Sequence, residues 1–549
     1  MRRCRAPPAR ARSGAGRRAA RVRAAPVSND RGRASQATRP ITHSGKSSAV
    51  REAASRRDML KPFVVTLRFY NTRTQRVEDF SPRDPSRVSL YLCGLTTYDF
   101  AHAGHARTNV SFDTLVRHLR ARGFEVTFVR NVTDVDDKIL DRAKERGEDP
   151  LALSARMSEL SDQDLAAIGC QKPTVEPRVS THIPQIVELV EKLIAAGSAY
   201  PAETPRGTDV YFSVRSFPDY GKLSRRKIDD LRSGARVEKS DIKRDPLDFA
   251  LWKGCGDEAY GWDSPWGKGR PGWHIECSAM AAAHLGPHMD IHCGGMDLIF
   301  PHHENEIAQS EAVHGAELSN FWMHGGFLEI DSEKMSKSLG NFVTIRDVLA
   351  RNDAEAFRYF LLGTHYRGPL NFDLEKRDDG RVVFLGVDEA ERRIEYMYNA
   401  LVAVRELAAQ DNEAESAEGL DALAKHKQLG PHAKVAREAY ERILSALDHD
   451  LNTSVALAVL GDVAKAANEV TLLAQKALRK DAAGLALARL AARLLENAFV
   501  RAGAVLGLFR ATPAEFFART LSRRLGLRQL DPAVIEAQIQ ARKAAREAK

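Results

Sequence analysis

The chain has 549 residues, 43% hydrophobic and 28% charged, the ordinary balance of a soluble globular protein of several domains. No apolar run reaches the length of about 18 residues that a membrane helix requires, which excludes such a span. The formal charge of +9 is unevenly held: residues 1–58 carry 15 Arg and 1 Lys against Asp30, Glu52 and Asp58, or +13, leaving 66 basic and 70 acidic residues, or −4, for 59–549.

Residues 1–58 are rich in Arg, Ala and Ser and almost free of acid. That is the composition of an organelle transit peptide, without the apolar core of a secretory signal. We expect it to be disordered and removed on import into the chloroplast stroma or the mitochondrial matrix. The second reading is a disordered RNA-binding tail. The six cysteines, at 4, 93, 170, 255, 277 and 293, are too few and too scattered for a disulfide framework. They fit a reducing compartment with one or more working thiols.

The folded part is expected from Met59, opening on a strand with Val64, Val65 and Leu67. Val88, Leu90 and Leu92 predict a second strand that ends at Cys93. A turn holding His102-Ala103-Gly104-His105 follows. Phe112, Leu115, Val116 and Leu119 then predict a helix by their spacing, and Gly123 closes it. With Val126 to Val129 this makes a βαβ unit, which places ligands at the carboxyl ends of its strands. Asn131 to Asp137 reads as a polar loop at such a site. Residues 151–200 read as helices, with Ile183, Ile186, Val187 and Val190 on one face. From 201 to 270, Pro, Gly, Trp and charged runs read as an insertion between two halves of the sheet. Apolar character returns at Trp273.

Beyond Arg358 the pattern is helical. Ala456, Leu460, Val463, Ala467, Val470, Ala474 and Ala477 form a bundle seam behind an Asn452-Thr453 cap, and a second long helix runs from about Leu485 to Phe499. Residues 512–549 read as one or two exposed helices.

Three groups carry chemistry. The two histidines around Gly104 at a helix start suit phosphate: glycine permits close approach, the helix end favours an anion and imidazoles donate. Taken alone, the motif fits a loop with two exposed histidines equally well. His302 and Glu306 stand four apart behind Pro301, a residue suited to a first helical turn. With Cys93 and Cys277 they would offer two S, one N and one O, a tetrahedral set of zinc type. On spacing alone, buried cysteines and a surface His/Glu pair is the stronger reading, and a set using His303, His292 or Cys293 is open too. Lys334-Met-Ser-Lys337-Ser offers two ammonium groups to a leaving polyphosphate.

The histidine pair, the insertion, the lysine loop and the helical tail together resemble class I aminoacyl-tRNA synthetases. Leu92–Asp99, Val129–Lys138, Gly269–Ser278 and Phe300–Gln309 make the chain similar, within that class, to cysteinyl-tRNA synthetases of the bacterial type. The resemblance covers about Met59 to Leu508. It implies an α/β Rossmann-type catalytic domain at 59–330, interrupted at about 201–270. A lysine-loop and connecting region would span 331–395, and a helical tRNA-binding domain 396–511. At 512–549 we expect exposed helices with the family's small anticodon-reading unit cut short. The implied reaction joins L-cysteine to cysteine tRNA through cysteinyl-adenylate, using ATP with Mg2+ and one zinc per chain. The resemblance implies zinc on Cys93, Cys277, His302 and Glu306, and ATP contacts and catalysis from His102, Gly104, His105, Lys334 and Lys337. Cys93, Thr133, Trp273 and His292 match positions around the substrate cysteine. Ala103 replaces the usual Ile of the histidine signature, and Cys293 stands where many members have Gly. We expect a monomer without membrane contact. The rivals are an ATP-dependent cysteine ligase acting on a small amino-sugar acceptor and a non-catalytic RNA-binding paralogue.

Overall fold

The computed structural model describes residues 66–228, 242–256, 260–330, 333–334, 342–377, 382–410 and 416–547. The leader and the strand expected at Val64 and Val65 lie outside the described residues. A hairpin comes first, β1 (Arg68–Asn71) against β2 (Arg76–Asp79). Then β3 (Arg87–Thr96), α1 (Ala103–Ala121) and β4 (Glu125–Thr133) make a parallel βαβ unit. The chain leaves α1 through Gly123 at φ +97°, a backbone region that glycine enters without strain. Helices α2 (Asp137–Arg146), α3 (Pro150–Ala167) and α4 (Ile183–Ala195) follow.

The stretch at 201–270 is built on strands that Gly and Pro obscure in the sequence. β5 (Ala199–Thr204), β6 (Gly207–Phe212), β7 (Phe249–Gly254) and β8 (Gly269–Pro271) form an antiparallel sheet in that order. It is not a separate appendage. Val210, Phe212 and Trp252 bury against Ile186 and Val190 of α4 and against Ile275 and Met280 of α5 (Trp273–Leu285).

β9 (Met289–Gly295), α6 (Glu304–His314) and β10 (Ser319–Gly325) complete the main sheet, all parallel, in the order β10–β9–β3–β4. Side chains on a strand alternate between faces, and here the two faces do different work. Leu90, Leu92, Ile291, Cys293, Phe321 and Met323 join the core that includes α1. Tyr91, His292 and Trp322 pair across three strands on the other face, towards Cys277. Cys293 is thus buried at 0% exposure in aliphatic core, and burial pushes its thiol well up. The closeness of Cys293 to the site in sequence is undone by strand alternation.

β11 (Leu328–Ile330) pairs with β12 (Glu333–Lys334), and α7 (Ile345–Leu349) and α8 (Ala354–Leu362) follow. The helical part holds α9 (Leu385–Ala408), α10 (Ala417–Lys425), α11 (Gly430–Asp448), α12 (Thr453–Gln475) and α13 (Ala482–Leu506). The Asn452 side chain accepts from Val455 N at 3.1 Å, capping α12. The seam from Ala456 to Ala474 is buried, but Ala477 lies past the helix end and is exposed. Of the last two helices, α14 (Pro513–Leu527) is not the exposed helix expected. Its Phe516 is fully buried, stacked on Tyr398 of α9 at 4.0 Å and 10°. No residue of α15 (Pro532–Glu547) is buried.

Catalytic and helical parts meet at Arg358, a fully buried side chain on α8. It donates to the Leu506 carbonyl at 2.7 Å, the Ile168 carbonyl at 3.2 Å and the Asp113 carboxylate of α1 at 2.5 Å.

Candidate functional site

The carboxyl ends of the parallel strands converge with α5 and α6 on one cluster. Cys93 comes from an irregularity in the β3–β4 register between Leu92 and Leu95. The close strand approach there admits only glycine next, since a Cβ on Gly94 would stand 1.6 Å from the Asn131 carbonyl oxygen. Cys277 comes from the second turn of α5. His302 and Glu306 come from the α6 region, but the regular helix starts later than Pro301 suggests. The chain bends at Phe300, whose backbone is extended (φ −141°, ψ 131°), before α6 opens at Glu304. The pair still meets, His302 Nε2 to Glu306 Oε1 at 2.9 Å. Cys93 Sγ lies 3.8 Å from Cys277 Sγ and 3.5 Å from Glu306 Oε1.

One donor atom from each of Cys93, Cys277, His302 and Glu306 falls within 4.8 Å of the others. A second quartet meets the same criterion, Cys93, His292, His303 and Glu306. Among the described residues these form the possible metal-binding cluster, and Cys293 belongs to neither set. The S–S separation matches the edge of about 3.8 Å expected when two thiolates share a tetrahedral ion at about 2.3 Å.

The two quartets differ in donor type: the first offers two sulfurs and one imidazole, the second one sulfur and two imidazoles. The two thiols act as a pair: the hydrogen bond from Cys93 lowers Cys277 to about 6, while burial holds Cys93 well above the usual thiol range. Burial pushes the Glu306 carboxyl up, but His292 and His302 overcome it and hold the group well below the carboxylate range. Burial likewise opposes charge on His302, and Glu306 and Cys277 outweigh it, raising the imidazole to about 10. Cys277 and Glu306 are thus the anionic donors, His302 holds a proton that it would release to ligate a metal, and burial keeps His303 neutral.

Behind the donors lies a layer of imidazoles. His292 Nε2 meets Glu306 Oε2 at 2.8 Å, and its ring stacks on Trp322 at 4.5 Å and 16°. His303 sits 3.3 Å from Cys93 Sγ through Nε2 and 2.8 Å from His324 Nε2 through Nδ1; His324 in turn meets Thr72 Oγ1 at 2.8 Å. His274 backs His302, Nδ1 to Nδ1 at 3.0 Å. Burial drives His274 well down and His324 to about 3. His274, His324, Trp322 and Thr72 are absent from the residues the sequence pointed to. The one sequence signal is the alternation of Trp322 and His324 with Phe321 and Met323 along β10.

The expected substrate positions flank this cluster. Trp273 opens α5, 40% exposed, with its ring tilted over His302 at 4.4 Å. Thr133 is buried at the end of β4. It takes a hydrogen bond from Asn131 Nδ2 at 3.2 Å, and Asn131 Oδ1 accepts from Gly94 N at 2.8 Å beside Cys93.

His102 caps α1, and the two histidines of the motif cap each other. His105 N donates to His102 Nδ1 at 3.2 Å, His102 N donates to His105 Nδ1 at 3.3 Å, and the rings stack at 3.5 Å. An imidazole whose Nδ1 accepts carries its proton on Nε2 when neutral. Both rings are thereby set as Nε2–H donors at a helix N-terminus. Gly104 sits between them, and Ala103 is fully buried where the larger Ile is usual. Lys337 and the Lys334 side chain lie outside the described residues. The segment that follows their loop is fastened to the histidine motif: Ala103 N donates to the Val343 carbonyl and Ile345 N to the Ala101 carbonyl, both at 2.9 Å.

Residues 79–379 match the family described as tRNA synthetases class I (C) catalytic domain, and 442–510 match the DALR domain. The cysteine–tRNA ligase of Anaeromyxobacter dehalogenans is 48% identical over 491 residues, 88% of this chain and 94% of that protein. That of Geobacter sulfurreducens is 46% identical over 485 residues, with the same coverage. Among solved structures, Mycobacterium tuberculosis methionyl-tRNA synthetase bound by methionyl-adenylate aligns with a TM-score of 0.56 at 17% identity, covering 77% of this chain and 92% of that one. That likeness bears on the fold alone, a Rossmann-like class I catalytic domain with a helical domain behind it. The chain belongs to the cysteine–tRNA ligase family of class I aminoacyl-tRNA synthetases.

Proposed function

We propose that this chain activates L-cysteine with ATP and joins it to cysteine tRNA. The carrying observation is the placement of the Cys93/Cys277/His302/Glu306 donors and the paired histidines of α1 at the carboxyl edge of one parallel sheet. The reaction has two steps. The cysteine carboxylate oxygen attacks the α-phosphorus of ATP, and the bond to pyrophosphate breaks. A hydroxyl of the terminal tRNA ribose then attacks the cysteinyl carbonyl and AMP leaves.

His102 and His105 would donate from Nε2 to phosphoryl oxygens, and Gly104 would let the phosphate approach the α1 amides. Lys337, helped by Lys334, would neutralise pyrophosphate as charge builds on it. Mg2+ would accompany ATP. The donor set fits zinc on Cys93, Cys277, His302 and Glu306, with His303 and His274 orienting from behind. When bound, zinc would supply a soft Lewis acid that favours a thiolate over a hydroxyl. Shape alone separates substrates this similar by only about 10–200-fold. Trp273 would cover the substrate, and His292 and Thr133 would line its sides. The chain would act as a monomer in an organelle after losing residues 1–58. The test is cysteine-dependent pyrophosphate exchange, followed by transfer to cysteine tRNA or to small amino sugars. Exchange with cysteine but not serine, and transfer to tRNA alone, is expected. Transfer to an amino sugar would replace the tRNA reading with the small-acceptor ligase.

A further inference from the structure

Helix α5 carries Trp273, Glu276 and Cys277 at spacings of three and four, which places them on one side. Trp273 and Cys277 have roles in the cluster and its flank, but Glu276 has none. Its side chain is buried at 1% exposure, and its Oε2 has no hydrogen-bond partner among the described residues. A buried carboxylate oxygen left without a donor is costly, and a cation or N–H group that reaches it removes the cost. Glu276 lines a void of about 30 Å³ together with Trp273, Asp136, Asp137, Lys253 and Arg270. Both cations of the void are taken by one acid: Lys253 Nζ meets Asp137 Oδ2 at 2.9 Å, and Arg270 Nη1 meets Asp137 Oδ1 at 3.1 Å. Asp136 Oδ1 accepts from Lys138 N at 2.9 Å as the cap of α2. Three acids against two cations leave the void at −1.

One group of the substrate has no partner in the chemistry proposed above. Zinc would take the thiolate and the start of α1 the phosphates, while the α-ammonium of cysteine is unmet. Cysteine carries thiol and ammonium on adjacent carbons, so a thiol held at the cluster keeps the ammonium close by. Trp273 joins the two places, since its ring tilts over His302 at 4.4 Å and also walls the void.

We propose that Glu276, with Asp136, receives the α-ammonium group of the substrate amino acid beside the ring of Trp273. The assignment rests on the cysteine–tRNA ligase reading for its substrate, and it adds a specificity-determining pair that the metal ligands do not supply. An ammonium offers three donors to two carboxylates, and an indole face attracts it further. The void has room for about two water-sized groups. That suits an ammonium head and is too small for Mg2+, which keeps several of its waters. A thiol acid without the amine would leave Glu276 buried and unpaired, and the site would reject it for that reason.

The experiment compares L-cysteine with 3-mercaptopropionate, which keeps the thiol and the carboxylate but lacks the amine. Binding of each to the full zinc-loaded chain is measured by calorimetry, beside cysteine-dependent pyrophosphate exchange, in wild type, Glu276→Gln and Asp136→Asn. Glu276→Gln should weaken cysteine and raise its KM in exchange by about 10–150-fold, the range for a hydrogen bond to a charged group. Its affinity for 3-mercaptopropionate, its zinc content and its thermal midpoint should not fall. Asp136→Asn, which keeps an oxygen to cap α2, should show the same selective loss, and it reads the site by itself if Glu276→Gln folds poorly. Equal weakening of both thiols, or of neither, in the folded variants would overturn the assignment. A wild type that neither binds cysteine nor exchanges pyrophosphate would overturn the enzymatic reading, a result distinct from a working enzyme whose variants bind cysteine normally.

Discussion

Cys277 is the residue on which the cluster turns, since it supplies the thiol most ready to ionise and lies 3.8 Å from the other. Cys277→Ala should lose the tightly held metal, one zinc per chain by elemental analysis of the wild type, and with it cysteine activation. Full activity in a demonstrably zinc-free wild type would sink the assignment. At this scale the sequence is informative about which residue types matter and silent about which way they face. His292 and Cys293 are neighbours, yet alternation sends the first to Glu306 and the second into aliphatic core. The converse holds for His324 and Thr72, which stand 252 positions apart and share a hydrogen bond. No spacing rule reaches across that distance.

Helix α1 links the nucleotide motif at its start to the helical domain at its middle. Asp113 is 3% exposed and paired with Arg358 and Arg117. Burial pushes its carboxyl up, and the two guanidinium groups overcome this and hold it below the usual range. A depressed folded value means that the unfolded chain takes up the proton first, at about pH 3.9. The stabilisation is therefore present above that pH and is lost as the pH falls through the folded value. Asp113→Asn should destabilise the chain by about 3–5 kcal/mol at pH 7, because Arg358 is left buried and unpaired. The gap in thermal midpoint between wild type and variant should narrow from pH 7 to about pH 3.5. An unchanged gap would show that Asp113 is not held as a carboxylate. The segment that follows the lysine motif meets the start of the same helix through Val343 and Ile345. If Lys337 acts only as charge develops on pyrophosphate, Lys337→Ala should slow adenylate formation by roughly 10²–10³-fold with cysteine affinity nearly unchanged. Single-turnover kinetics would check this, and near-normal adenylate formation would remove the role. Among elements, α1 and the α12 seam were legible because their apolar spacing is regular. Strands β5 to β8 were not, because Gly and Pro interrupt their alternation and their burial is supplied by α4 and α5.

On the scale of the whole chain, charge and chemistry are kept apart. Residues 1–58 carry +13 and 59–549 carry −4, while every expected site residue lies between Cys93 and Lys337. Two roles for such a basic segment make opposite predictions. A targeting segment acts before the enzyme works, and its removal should leave the kinetics alone. An RNA-binding tail adds phosphate contacts, and its removal should raise the KM for tRNA and flatten its salt dependence. We expect the first: a chain starting at Met59 should charge cysteine tRNA with unchanged KM at low and moderate salt. Residues 1–58 fused to a fluorescent reporter should carry it into the chloroplast stroma or the mitochondrial matrix, and replacing their arginines by glutamate should stop import. A cytosolic reporter together with a raised KM on truncation would reverse the assignment and make the leader part of the tRNA-binding surface.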